Sequence, residues 1–270
     1  MKSIARHAVD PELVDEGVER FEQTLDRAVT TALERPAALA TVLEVARSYA
    51  GYLAAANAPQ VELGRALRIG AEAATAIFAL GTGSGEIEFS IAGQRARHAA
   101  TGPNGATRPG TWRIGWWLAQ LVGDQTAIDT LAATPVALLR ASGTTTDECQ
   151  YRFVEALQGF QSQAPTWGDS LQAAVDATDP EAVALIDEDF VLNILVPEMQ
   201  LLFYLALNES DQFQTAFEFA LERHKKYWSK ADRKRDPDGF LALGPMALAS
   251  LAVSAGIPVE MESDYAPVRW

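Results

Sequence analysis

Three carboxylates stand in a row at Asp187-Glu188-Asp189, and His224 stands at helical spacing from Phe213, Ala216 and Ala220, directly before Lys225-Lys226-Tyr227-Trp228. These residue types could bind a cation or move a proton. Their spacing argues for neither. Successive residues on a helix point about 100° apart, so adjacent carboxylates do not converge on one metal unaided. A histidine acts as a base only with a partner within hydrogen-bond reach, and the sequence names none for His224. The triplet reads as a charged helix end or an acidic contact point. His224 reads as a partly buried histidine held by a hydrogen bond.

Other candidates fall the same way. Gly81-Thr82-Gly83-Ser84-Gly85 lacks the third glycine of a dinucleotide loop, and it follows a helix and precedes a strand, the reverse of what phosphate binding at a helix N-terminus requires. Glu86 and Glu88 share a strand face about 7 Å apart, with nothing beside them to raise a carboxyl pKa. Cys149 is the sole cysteine and lies in an apolar stripe, which excludes a disulfide framework and a thiolate zinc site. His7, His98 and His224 are far apart. Trp112, Trp116 and Trp117 could line a stacking cleft but read as core. No P-loop, nucleophile-elbow, HExxH or SxxK motif is present. The expectation is no catalytic residue, no metal and no cofactor.

The elements carrying these residues are mostly helical. Val14, Val18, Phe21, Leu25, Ala28 and Ala32 mark one face of a long helix, with Asp10 placed to cap it, Pro11 in its first turn and Pro36 closing it. The pattern returns after Pro36 and after Pro59, predicting three antiparallel helices of about six turns each. Glu86 to Ile91 alternates like a strand, predicting a hairpin or lone strand near residues 85–92, and residues 92–111 read as loop. Helices resume with Thr111 as a cap, then Thr166 to Asp169 with capping-box spacing, Asp179-Pro180 opening a helix, a segment over 190–208 kinked near Pro197, and Ser210 as another cap. The last helix runs from Pro245 to Ala255. The reading is an all-α protein of about ten helices, a bundle or solenoid-like array, forming a single domain over 1–270. The glycine-rich stretch near residue 83 and the 141–146 linker are the two places for a break.

The chain has 270 residues, is 48% apolar and 21% charged, and carries a net charge of −14. That balance supports a packed core and disfavours binding to nucleic acid or an anionic membrane. Most of the excess lies in residues 141–210, where Arg152 is the only cation. The stretch reads either as solvated helix faces that aid solubility or as an acidic face for a basic protein partner, with Asp147, Glu148, Asp169, Asp187, Glu188 and Asp189 as its candidate contacts. The N-terminal stretch has no apolar core of a signal peptide, and the uncharged stretch 240–259 reads as a buried helix that Gly256-Ile257-Pro258 stops. A cytoplasmic protein is expected.

The C-terminal third carries a more specific pattern: Phe213, then Ala220-Leu221-Glu222-Arg223-His224-Lys225-Lys226-Tyr227-Trp228, Asp236-Pro237-Asp238-Gly239, an alanine-rich helix, and Ser263-Asp264-Tyr265-Ala266-Pro267. Trp117-Leu118-Ala119 before Gly123-Asp124, Leu131 to Pro135, and Tyr151 with Ala156-Leu157-Gln158 agree with it. Over about 60–267 the chain resembles the Immunity protein 49 family of bacterial polymorphic toxin systems. The aspartate usual near the end of the alanine-rich helix is here Ser254. The resemblance implies an all-α protein that binds a cognate toxin and neutralises it by occlusion, without catalysis. It supplies no toxin-contacting residues. His224, Tyr227, Trp228, Asp264, Tyr265 and Pro267 carry the resemblance and are expected to be structural. A helical repeat-type scaffold and an all-helical enzyme around the tryptophans and His224 are the competing readings.

Overall fold

The computed structural model describes residues 3–267. Among them, counting the continuous run Glu188–Ala206 once, are eleven helices and a few short strands, the all-α architecture expected. The chain divides into two compact units. One spans Val9–Thr144. The other starts at Thr145 and takes in the N-terminal segment up to Ala8. The break falls inside the 141–146 linker.

In the first unit, α1 (Pro11–Glu34), α2 (Leu39–Ala55) and α3 (Gln60–Thr82) pack in sequence order. Asp10 caps α1, accepting from the Glu12 amide at 3.1 Å. A 3₁₀ turn at Pro36–Ala38 makes α2 shorter than six turns. The strand prediction resolves as a hairpin, β2 (Glu86–Ile91) with β3 (Gln94–Ala99), following the short strand β1 (Ser3–Ile4) of the other unit. Residues 94–99 are therefore strand and not loop. Their charged sequence hides them from hydropathy patterning, but Ala92 and Gly93 both take positive φ (50° and 76°), as a tight two-residue hairpin turn requires. The Glu72 carboxylate accepts from the Ala92 amide at 2.8 Å and ties that turn to α3.

Next come α4 (Pro109–Val122), α5 (Gln125–Ala132) and α6 (Val136–Arg140). Pro109 opens α4 and Arg108 precedes it, so Thr111 lies within the helix and does not cap it. Gly115 sits where α4 crosses α3. A Cβ there would meet the Ala74 methyl at 2.5 Å, so only glycine permits this approach. Trp112, Trp116 and Trp117 are fully buried core, and Trp112 Nε1 donates to the Leu131 carbonyl at 2.8 Å. They line no cleft.

The second unit contains α7 (Glu148–Gln161), α8 (Trp167–Asp176), α9 (Glu188–Phe190), α10 (Val196–Ala206), α11 (Ser210–Trp228) and α12 (Leu243–Ser254). The strand β4 (Glu262–Ser263) pairs in parallel with β1. Thr166 makes no side-chain cap on α8, Asp179-Pro180 opens only turns, and Ser210 is the first residue of α11 while Glu209 flanks it. Between α9 and α10 runs a π turn, Val191–Leu195, in which the Val196 amide bonds to the Val191 carbonyl. Pro197, near which a kink was expected, explains it: proline has no N–H for the carbonyl four residues back, and the looser turn lets the helical run continue through it. The apolar α12 gives Met246, Ala247, Leu248, Ala249 and Ala252 to this unit's core.

Candidate functional site

The motif residues come first because they are the most specific feature of the sequence. α11 presents His224 and Tyr227 to the interior, with Trp228 half-buried at its end. His224 Nε2 bonds the Gly239 carbonyl at 3.0 Å, and a Cβ on Gly239 would meet the Trp228 ring at 2.5 Å. The Asp236-Pro237-Asp238-Gly239 turn thus docks flat against α11. Tyr265 packs edge-on against His224, with ring centroids 4.9 Å apart. Its hydroxyl lies 2.7 Å from His7 Nδ1 and accepts from the His7 amide at 2.9 Å. His7 Nε2 faces the Lys234 carbonyl at 3.1 Å, so that nitrogen carries the proton and Nδ1 accepts from the tyrosine.

Around this core the N-terminal segment is strapped down. The Arg6 guanidinium donates to the Phe240 carbonyl at 3.1 Å and to the Asp264 carbonyl, and the Arg6 amide donates to the Asp264 carboxylate at 3.0 Å. Lys225 Nζ reaches the Ala5 carbonyl at 2.8 Å. Burial lowers the pKa of His224 to about 3, lowers that of His7, and raises that of Tyr265 to about 12. Groups so held are neutral structural elements at neutral pH. The motif builds a clamp on residues 3–7. Pro267 follows it, half-buried.

The six acidic candidates separate into three kinds. Asp147 is buried and accepts three backbone amides, from Ala184 at 3.0 Å, Leu185 at 2.9 Å and Ile186 at 2.8 Å. Burial pushes its pKa up, and the three amides outweigh that, leaving it below the usual carboxylate range. It pins the loop before α9. Glu148, Asp187 and Asp189 face cations within the fold. Glu148 pairs with Arg152 at 3.0 Å. Asp187 and Asp189 pair with Arg233 at 3.0 and 2.7 Å, and Asp189 also with Lys230 at 2.8 Å. Arg233 lies over the Tyr227 ring at 4.0 Å, which ties the acidic triplet to the motif helix. Burial would raise the Asp189 pKa, but Lys230 and Arg233 bring it down.

Asp169 and Glu188 are the remaining kind: exposed, and facing no cation among the described residues. Other residues not put forward as contacts from the sequence share that state, among them Asp176, Asp179, Glu181, Glu209 and Asp211. Asp169 and Asp176 are seven residues apart and lie on one face of α8. The signal that finds them is an absence. From Phe153 to Glu222 the chain holds no lysine or arginine, so exposed carboxylates in that span have no local counter-charge. Exposed Val175, Leu185 and Leu192 lie in the same stretch of sequence.

Among the described residues no group of histidine, cysteine, aspartate or glutamate side chains comes together as metal ligands. Two helical runs, Glu188–Ala206 and Pro237–Ser254, are long and apolar enough to cross a membrane by length and composition, and 50% and 61% of them is buried within the protein.

No curated protein matches the chain, and no solved structure does. The model of the family Immunity protein 49 matches residues 54–270, a span that includes the clamp's His224 and Tyr265 and all six acidic candidates. The chain belongs to the Immunity protein 49 family.

Proposed function

We propose that this chain is an immunity protein that binds one cognate toxin and neutralises it by covering its surface, with no bond made or broken. Family membership supports an immunity role and implies a toxin partner in general. The observation that carries the finer reading is that Asp169, Asp176, Asp179, Glu181 and Glu188 are exposed and meet no cation among the described residues; we take them together as an acidic strip. Exposed like charges are kept at a cost to the folded state through self-repulsion, and they steer a basic partner into contact. The partner is therefore a basic toxin domain. The net charge of −14 opposes binding to nucleic acid or anionic lipid, and the site of action is the cytoplasm of the bacterial cell that makes the toxin.

The test uses the toxin domain encoded beside this gene. Co-expression should restore growth, and the two proteins should co-purify. In stopped-flow measurements the triple variant Asp169→Lys, Asp176→Lys, Glu188→Lys should associate about tenfold more slowly at low salt, with a flatter salt dependence. An unchanged association rate would remove the strip from the interface. Absence of both rescue and co-purification would remove the immunity reading itself.

A further inference from the structure

We infer that the groove between α10 and α11 anchors an arginine or lysine side chain of the toxin, an inference that rests on the function proposed above. The two helices are joined by the turn Leu207–Glu209, with Asn208 at φ 55°. Between them lies a cavity of about 380 Å³, lined by Gln200 and Tyr204 from α10 and by Asp211, Thr215, Ala216 and Phe219 from α11. Its chemistry is that of a receptor for a long cationic side chain. Tyr204 offers an aromatic ring, and Phe219 the part of its ring that Arg223 does not cover; such rings attract a guanidinium or ammonium and pack against its methylene stem. Ala216 leaves the floor open. Asp211 supplies a carboxylate that, among the described residues, meets no cation.

Charge complementarity selects the occupant. Both groove-lining stretches lie in the span from Phe153 to Glu222 that has no lysine or arginine. The first cation beyond it, Arg223, is already engaged. It lies over the Phe219 ring at 4.6 Å and reaches Asn193 Oδ1 at 3.5 Å. A positive group from outside is what the groove lacks. On the same helix end as Tyr204, its sequence neighbour Phe203 and the following Leu207 are 43% and 49% exposed, apolar surface that residues flanking the toxin's cation would cover. Aromatic walls around one charged anchor are the composition of an interface hot spot, with exposed acids elsewhere acting as its outer field.

That division of labour gives the test. A buried anchor sets the dissociation rate, and peripheral charge sets the association rate. With the toxin domain encoded beside this gene, Thr215→Arg, which fills the groove and supplies the missing cation, should raise the dissociation rate about tenfold or more. Asp211→Asn should raise it about threefold to tenfold. Association should change less than about twofold in both, unlike in the strip variants. Thr215 and Asp211 are both exposed, and an unchanged thermal melt checks that the fold is intact. If the wild-type chain binds the toxin and both variants release it at the wild-type rate, the groove inference is overturned and the immunity function stands. A wild-type dimer that Thr215→Arg breaks would overturn it too, making the occupant a second copy of this chain. A wild-type chain that does not bind the toxin overturns both readings together.

Discussion

The Tyr265 hydroxyl donates to His7 Nδ1 and accepts from the His7 backbone amide, a two-way bond between residues 258 positions apart. It closes the N-terminal strand onto the C-terminal motif, and the parallel pairing of Ser3–Ile4 with Glu262–Ser263 extends the same closure. Residues 3–7 precede the span matched by the family model, yet they complete a clamp whose other half lies inside it.

Tyr265→Phe should therefore loosen the strap without emptying the core. The ring stays packed on His224, while two buried groups of His7 lose their partner. A stability loss of about 1–3 kcal/mol is expected from a denaturant titration. Hydrogen exchange should accelerate first at residues 3–8. If exchange there stays at the wild-type rate, the hydroxyl does not hold the strap.

The same cluster sets a pH dependence. Burial holds His224 near a pKa of about 3 and His7 below its ordinary value, so the unfolded chain binds these protons more readily than the folded one. Their contribution is fully present above the unfolded histidine pKa of about 6.5 and is lost as pH falls toward the folded values. The slope approaches at most about 1.4 kcal/mol per pH unit for each histidine. Asp147 and Asp189, with lowered pKa values, act in the same direction but only below about pH 4. In the window from pH 4.5 to 6.5 the histidines act against Glu72, whose carboxyl burial holds above its ordinary value, so the comparison of His224→Gln with the wild type is what isolates the histidine part. Urea denaturation in that window should show a shallower pH slope for His224→Gln than for the wild type, and equal slopes would contradict the assignment.

The clamp also shows what can be read from one sequence and what cannot. The helix through Phe213, Ala216, Ala220, His224 and Tyr227 follows from spacing alone, and so does the placement of His224 inside. Its partner Gly239 is 15 residues on, within reach of local reasoning, but Tyr265 meets His7 only because the chain ends are brought together. β3 was illegible because its residues are charged and its pairing is with β2 across a turn, and the π turn because it answers to Pro197 through helix geometry. The acidic stretch was legible as composition. Which of its carboxylates stay exposed was not, since Lys230 and Arg233 arrive from more than 40 residues away.

Asp147 illustrates that last point and yields a prediction of its own. Read from sequence it belongs to an acidic face, whereas in the fold its two oxygens take three amides of the loop Ala184–Ile186. Asn at this position keeps one acceptor and turns an NH₂ group toward backbone N–H groups. Asp147→Asn should cost about 2–4 kcal/mol in thermal or chemical denaturation and raise hydrogen exchange at residues 184–186. A variant as stable as the wild type would mean that the loop is held by something else.

The tryptophan cluster offers a comparison in which burial is equal and only the hydrogen bond differs. Trp112 and Trp116 are both fully buried, their rings stacked at a centroid distance of 6.2 Å. Trp112 Nε1 donates to the Leu131 carbonyl at 2.8 Å, whereas Trp116 Nε1 is buried with no acceptor among the described residues. Truncation to phenylalanine removes similar volume at each site, so the cavity contributions largely cancel in the difference. At Trp112 the change also abolishes a buried bond, while at Trp116 it removes a donor that was desolvated without return. Trp112→Phe should therefore be more destabilising than Trp116→Phe by about 1–2 kcal/mol in paired denaturation experiments. The reverse order would mean that the Trp116 indole N–H has an acceptor, such as an ordered water, that offsets its burial.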